Sequence, residues 1–174
     1  VNRLDSAAFW EFSLAYYSRE QVAAACLSLQ NRRGADVNIL LLCCWLATLE
    51  IHIETSALHA AIAAGQDWRR DVLEPLRAAR RAAGDGFPQL AKTARESIKN
   101  GLLSVELECE RVAQELICLA VAPLARRVEA PNHHDIAAAS IEDYLGLVIS
   151  DPDVADTEDM QALLTPLLPA EITQ

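Results

Sequence analysis

Charge is spaced unevenly along this chain, and the longest gap in it predicts the fold. Between Asp36 and Glu50 runs VNILLLCCWLATL, a stretch without a single charged residue. About 13 residues rising about 1.5 Å each cover roughly 20 Å, short of the ~30 Å hydrocarbon core of a bilayer. A helix apolar on nearly every face and too short to span a membrane is one that other elements surround in water. The spacing therefore predicts a central apolar helix over about 37–53, with Asp36 as its cap and Gly34 as the left-handed stop of the helix before it.

A second pattern covers about 88–122. Ala91, Ala94, Ile98, Leu102, Val105, Cys109, Val112, Leu116 and Leu119 recur at threes and fours, the period of one long helix. Pro88 suits its first turn, Asn100-Gly101 is the place for any bend, and Pro123 lies beyond its end. The stripe is expected to pack along the central helix or along its own copy in a dimer. Glu106, Glu108, Glu110 and Arg111 fall off it and are expected in solvent.

Shorter patterns fill the remainder. Asp5 and Ser6 can cap a helix carrying Phe9, Phe12 and Tyr16, and Ser18 with Gln21 forms a capping-box pattern before Val22, Cys26 and Leu29. Thr55 or Ser56 can open an Ala-rich segment that Gly65 ends. Asp67 begins a helix that Pro75 must kink or restart, and Gly84 and Gly86 close it. In it Val72, Leu76, Ala79 and Ala83 share one face, and Arg70, Arg77 and Arg81 the opposite one. Past Arg127 come a linker (EAPNHHD), a helix over about 136–149 capped by Asp135, an acidic loop (SDPDVADTED), and a short amphipathic end that Pro166 breaks. The sum is an all-α, single-domain helical bundle: a bundle domain over 1–127 and a C-terminal extension over 128–174.

Charge sharpens that division. The 15 Lys and Arg all lie at or before Arg127, where they balance 15 acids, so the formal charge of −10 belongs to residues 128–174. A neutral body with an acidic end lacks the positive surplus that displaces counterions from nucleic acid, so no direct nucleic-acid binding is expected. Five cysteines among apolar neighbours (Cys26, Cys43, Cys44, Cys109, Cys118) form no disulfide framework and read as small core residues of a cytoplasmic protein. The chain opens on Val1 without a methionine, which leaves room for leading residues, and no secretory signal pattern is visible.

FWEFSLAYYSREQVAAACLSLQNRRGADVNILLLCCWLA, with PLRAARR further on, resembles a family of small proteobacterial proteins carrying a domain of unknown function, mainly over residues 9–81. The resemblance implies a helical cytoplasmic bacterial protein and supplies no catalytic residues.

Arg69, Arg70, Arg77, Arg80 and Arg81 are the strongest site candidates, because guanidinium forks hold carboxylates and phosphates bidentately. The plainer reading is a solvated helix face; the sharper one is that this face receives the acidic tail. Phe9, Trp10, Phe12, Tyr16 and Tyr17 are a dense aromatic set suited to a core or to an interface. Asp67 and Asp71 have the D-x-x-x-D spacing that holds a magnesium-diphosphate in helical isoprenoid synthases, but no second such motif follows, and Asp67 reads better as a cap. In EIHIE, Glu50 and Glu54 are one turn apart while His52 points away, and His133-His134-Asp135 reads as linker, so no metal or other cofactor is assigned. No catalytic constellation is evident. The favoured function is a non-catalytic interaction or regulatory protein, a homodimer with an unidentified protein partner and no membrane contact. The alternative is a small helical ligand-binding protein or enzyme with an apolar pocket, metal- or phosphate-assisted.

Overall fold

The computed structural model describes residues 4–85, 87–129 and 132–168. It is an all-α fold. In chain order the helices are α1 (Ser6–Tyr17), α2 (Glu20–Arg33), α3 (Val37–Thr48), α4 (Thr55–Trp68), α5 (Glu74–Asp85), α6 (Lys92–Val121), α7 (His133–Val148) and α8 (Val154–Leu164). Two-residue strands β1 (Ile51–His52) and β2 (Arg126–Arg127) pair antiparallel, and Thr165–Leu167 adds a turn of 3-10 helix. Gly86 and residues 169–174, which carry part of the expected amphipathic end, lie outside the described residues, as do Ala130 and Pro131 of the expected linker.

α3 is the interior rod. Every residue from Asn38 to Ala47 is buried, and Leu40, Leu42 and Leu46 are fully enclosed. Phe9 of α1 stacks on Trp45 with ring centroids 5.0 Å apart. α7 lies along α3, supplying Ile136, Ala137, Ile141 and Tyr144 to the same core, and α6 adds Ala113, Ile117 and Val121 near its C-terminal end. Each buried Leu or Ile contributes about 1.5–3 kcal/mol, so α3 is the largest single source of hydrophobic stabilisation in the chain.

The central helix is shorter than its pattern. It stops at Thr48 because Glu50 takes a left-handed backbone (φ 60°), which throws Ile51 and His52 into β1 instead of a further turn. The long helix starts at Lys92, not Pro88, and runs unbroken through Asn100-Gly101. Asp5, Gly34 (φ 71°) and Asp36 cap as their residue types predict. Ser18 does not: its hydroxyl donates back to the Ala15 carbonyl, and Arg19 begins α2 without a side-chain cap. Asn132, not Asp135, caps α7. Gly65 continues α4 instead of ending it, because it is where Ile117 packs, 3.7 Å from the position a Cβ would occupy.

The regular α-helix is interrupted before Pro75 and resumes at Glu74. Arg69–Leu73 forms a π-helical turn between α4 and α5, with the Glu74 N–H bonding the Arg69 carbonyl five residues back. A wider turn just before a proline relieves the crowding of its ring against the preceding turn and keeps the run helical.

The expected acidic loop is the start of α8. Asp153 and Asp156 form a reciprocal capping box, and the buried Asp156 also takes hydrogen bonds from Arg33 at 2.7 and 3.0 Å and from Arg32 at 2.9 Å. Asp153 pairs with both arginines and Asp159 with Arg32. The α8 aspartates therefore dock on the end of α2 and, among the described residues, not on the Arg69–Arg81 face. Tyr16 completes the seal, its hydroxyl donating to the Leu163 carbonyl at 2.5 Å.

The Arg33 hydrogen bonds, helped by the Asp153 backbone N–H and the charges of Arg33 and Arg32, pull the Asp156 carboxyl from its ordinary 3.8 down to about 2. A depressed carboxyl stabilises the fold fully above about pH 4 and loses that contribution as pH falls through about 2. Asp156→Asn is expected to lower the urea midpoint at neutral pH, with the gap to wild type closing between about pH 4 and pH 2. A gap that does not change over that range would contradict the ion cluster.

Candidate functional site

α5 and α6 form a hairpin that turns its charge inward. Leu73, Arg77, Arg80 and Gly84 recur at helical spacing and face α6, and Glu106 and Glu110 face them in return. Arg77 pairs with Glu110, with Glu74 at 3.0 Å and with Glu106 at 3.6 Å. Arg80 clasps Glu106 through its Nε at 2.6 Å. The glutamates expected in solvent are thus the inner face of α6 at this level: Glu106 is buried and Glu110 half-buried. Glu108 and Arg111 are exposed as expected and pair with each other at 2.9 Å.

The network continues into the bundle. Asn38 Nδ2 donates to Glu110 at 2.7 Å, and Gln114 Nε2 donates to Asn38 Oδ1 at 2.9 Å and to Ser13 Oγ at 3.0 Å. Ser13, Asn38, Glu106 and Gln114 are all buried, and each finds a partner, which is what makes polar side chains tolerable at that depth. Sequence reasoning passed over Ser13, Asn38 and Gln114. Their only signal is a polar residue at a core-facing position on each of three helices.

Above this network lies a cleft of about 520 Å³, open to solvent. Its walls come from α1, α2, α3, α5 and α6, and among its lining residues are Trp10, Leu14, Tyr17, Leu27, Arg81 and Leu107. Three of the five candidate arginines, Arg77, Arg80 and Arg81, share it. The other two do not: Arg69 is 3.6 Å from Asp36, and Arg70 pairs with Asp67 and Asp71 at 2.7 Å on the exposed side of the helix. Those two aspartates are occupied by Arg70, and Asp67 is mid-helix, not a cap. The aromatic set divides as well. Phe9 and Tyr16 are core, Phe12 stacks on Tyr16, and Trp10 and Tyr17 face the cleft.

The opposite side of α6 is only partly covered. Ile98 is 52 % exposed, Val105 50 % and Leu119 58 %, while Leu102, Cys109, Val112 and Leu116 between them are half-buried. A second groove, about 350 Å³, opens beside it between Ala79, Ala83, Phe87, Leu90, Ile98 and Leu102.

Burial pushes the Cys26, Cys44 and Cys118 thiols up to about 12 and the Cys43 thiol well above its ordinary value, which keeps them protonated at neutral pH. Among the described residues no three His, Cys, Asp or Glu side chains converge to hold a metal ion. His52 Nε2 lies 3.5 Å from Asp143 and makes no hydrogen bond, and His134 leans on Asp135 at the start of α7.

Fold and site together define a helical bundle built around an apolar rod, with a charged cleft on one side of its longest helix and a partly covered apolar seam on the other. No helix among the described residues is long and apolar enough to cross a membrane. The chain belongs to the family described as protein of unknown function (DUF2390), whose model matches residues 8–117. No curated protein and no solved structure matches it. The matched stretch runs from α1 into α6 and contains every residue of the Ser13–Arg80 network.

Glu106 and Glu108 are the same residue type two positions apart with opposite surroundings. Glu106→Ala, which strands the Arg80 guanidinium and takes one of three carboxylates from Arg77, is expected to cost about 2 kcal/mol, and Glu108→Ala less than about 0.5 kcal/mol. Urea denaturation of both variants checks this. Equal losses would mean that α6 does not present Glu106 to α5.

Proposed function

We propose that this is a non-catalytic cytoplasmic protein that acts through helix-face contacts, the first of them with a second copy of itself along α6. The observation that carries this reading is the partly covered seam. Ile98, Leu102, Val105, Cys109, Val112, Leu116 and Leu119 alternate at fours and threes, the spacing of a coiled-coil a/d stripe; three of them (Ile98, Val105, Leu119) stay exposed on the folded chain and the other four are half-buried. An apolar stripe of that length is costly to leave in water and is a usual mark of a protein–protein surface.

Charge favours an antiparallel second copy as the occupant. The first turns of α6 carry Lys92, Arg95 and Lys99 against Glu96, while further along exposed Glu108 and Glu115 outnumber Arg111. Antiparallel pairing lays each basic end beside the partner's acidic stretch, and parallel pairing sets like against like. Ala79, Ala82 and Ala83 flank the seam with small side chains and leave room for a neighbouring helix to approach. Cytoplasmic residence fits five free cysteines, four of them buried.

Light scattering on the purified chain is expected to return twice the 19.0 kDa monomer mass. Val105→Glu places a charge on a half-exposed seam position, so it is expected to yield a monomer with an unchanged helical circular dichroism spectrum. A wild type that stays monomeric in concentrated solution, or a Val105→Glu chain that still dimerises, would remove this reading.

A further inference from the structure

The cleft on the other side of α6 has a chemistry of its own. Its mouth is ringed by Leu14, Leu27 and Leu107, from three different helices and 45–49 % exposed. Trp10 and Tyr17 add aromatic surface beside them, and Leu41 and Val37 of α3 lie deeper. A concave space of about 520 Å³ with mostly apolar walls and a few convergent polar groups has the size and make-up of a small-molecule site.

The polar groups decide what kind of molecule. Both carboxylates in the cleft are engaged at each oxygen: Glu106 takes Arg80 Nε on one and Arg80 Nη2 on the other, and Glu110 takes Arg77 on one and Asn38 on the other. Arg80 Nη1 is engaged by none of the described residues, and the guanidinium of Arg81 lies on the same rim. Arg77 is taken up by Glu74, Glu106 and Glu110, which leaves Arg80 Nη1 and Arg81 as the cationic donors that face the cleft with no carboxylate of their own among the described residues. A ligand that satisfies this cleft brings acceptor oxygens and negative charge, and an apolar body to cover the leucines.

We infer that the cleft binds a small organic anion, an aromatic or branched apolar body bearing one carboxylate, with the carboxylate at Arg80 and Arg81 and the body against Trp10, Leu14, Tyr17 and Leu107. The site is independent of the seam. Leu107 and Val105 point to opposite sides of α6, so the dimer and the ligand do not compete for surface.

The test is calorimetric titration of the full chain with 2-naphthoate and with its neutral isostere 2-naphthamide. Wild type is expected to bind the carboxylate at least ~10-fold more tightly than the amide, the worth of one charge-assisted contact. Arg81→Ala, at an exposed position, should weaken naphthoate by about 10-fold and leave naphthamide as it was. Leu107→Asp should weaken both, and Val154→Asp, a 75 % exposed position on α8, neither. Val105→Glu should bind as wild type does, which separates failure of the cleft from failure of the seam. Equal affinity for the two probes, undiminished binding by Leu107→Asp, or no binding of naphthoate by wild type would overturn the assignment.

Discussion

A helix without a polar face can persist in water only if something covers every side of it. α3 sets that condition for the whole molecule. α1, α4, α6 and α7 all pack on it, and its N-terminus is held three times over, by the Asp36 cap, by the Tyr144 hydroxyl that accepts from the Asp36 N–H at 2.6 Å, and by Arg69 beside the Asp36 carboxylate. α5 packs on α6 and on the π-helical turn before it, and most of the N-terminal half of α6 is exposed.

That difference explains why α6 is divided in character. Its C-terminal half meets α3 and α4 through Ala113, Ile117, Cys118 and Val121, as a core helix should. Its N-terminal half lies beside α5, and the two helices are joined by arginine–glutamate pairs at Glu106 and Glu110 and by Arg95, which donates to the Gly84 carbonyl at 2.9 Å. Ion pairs at this partial burial add little net stability, but removing one partner leaves a charge without a counter-charge. They act chiefly on geometry: by fixing which side of each helix faces the other, they hold the apolar positions outward and keep the cleft lined with arginines.

Much of this was legible in the residues, and what was not has a common cause. The apolar run of α3, the caps at Asp5 and Asp36 and the left-handed Gly34 follow from local chemistry, and the structure has them where the sequence puts them. Glu50 could not be foreseen as the stop of α3, because a left-handed glutamate has no sequence signature of its own. The faces of α5 and α6 were assigned by hydrophobic periodicity, which assumes that apolar positions point inward. Here Arg77, Arg80, Glu106 and Glu110 point inward, so the period was right and the phase was wrong. The same assumption made SDPDVADTED a loop: its aspartates read as solvent-loving, when Asp156 is buried against Arg32 and Arg33. Arginines more than 120 residues away in sequence leave no local trace of that pairing.

The enclosure of α3 is the claim on which the cleft, the seam and the docking of α8 all rest, and amide hydrogen exchange measures it most directly. Amides of Val37–Thr48 are expected to exchange only through global unfolding, with the free energy of the whole chain, while those of α5 exchange through local opening at far lower cost. Exchange of the α3 amides as fast as those of α5 would mean that the rod is not enclosed, and would contradict the architecture described here.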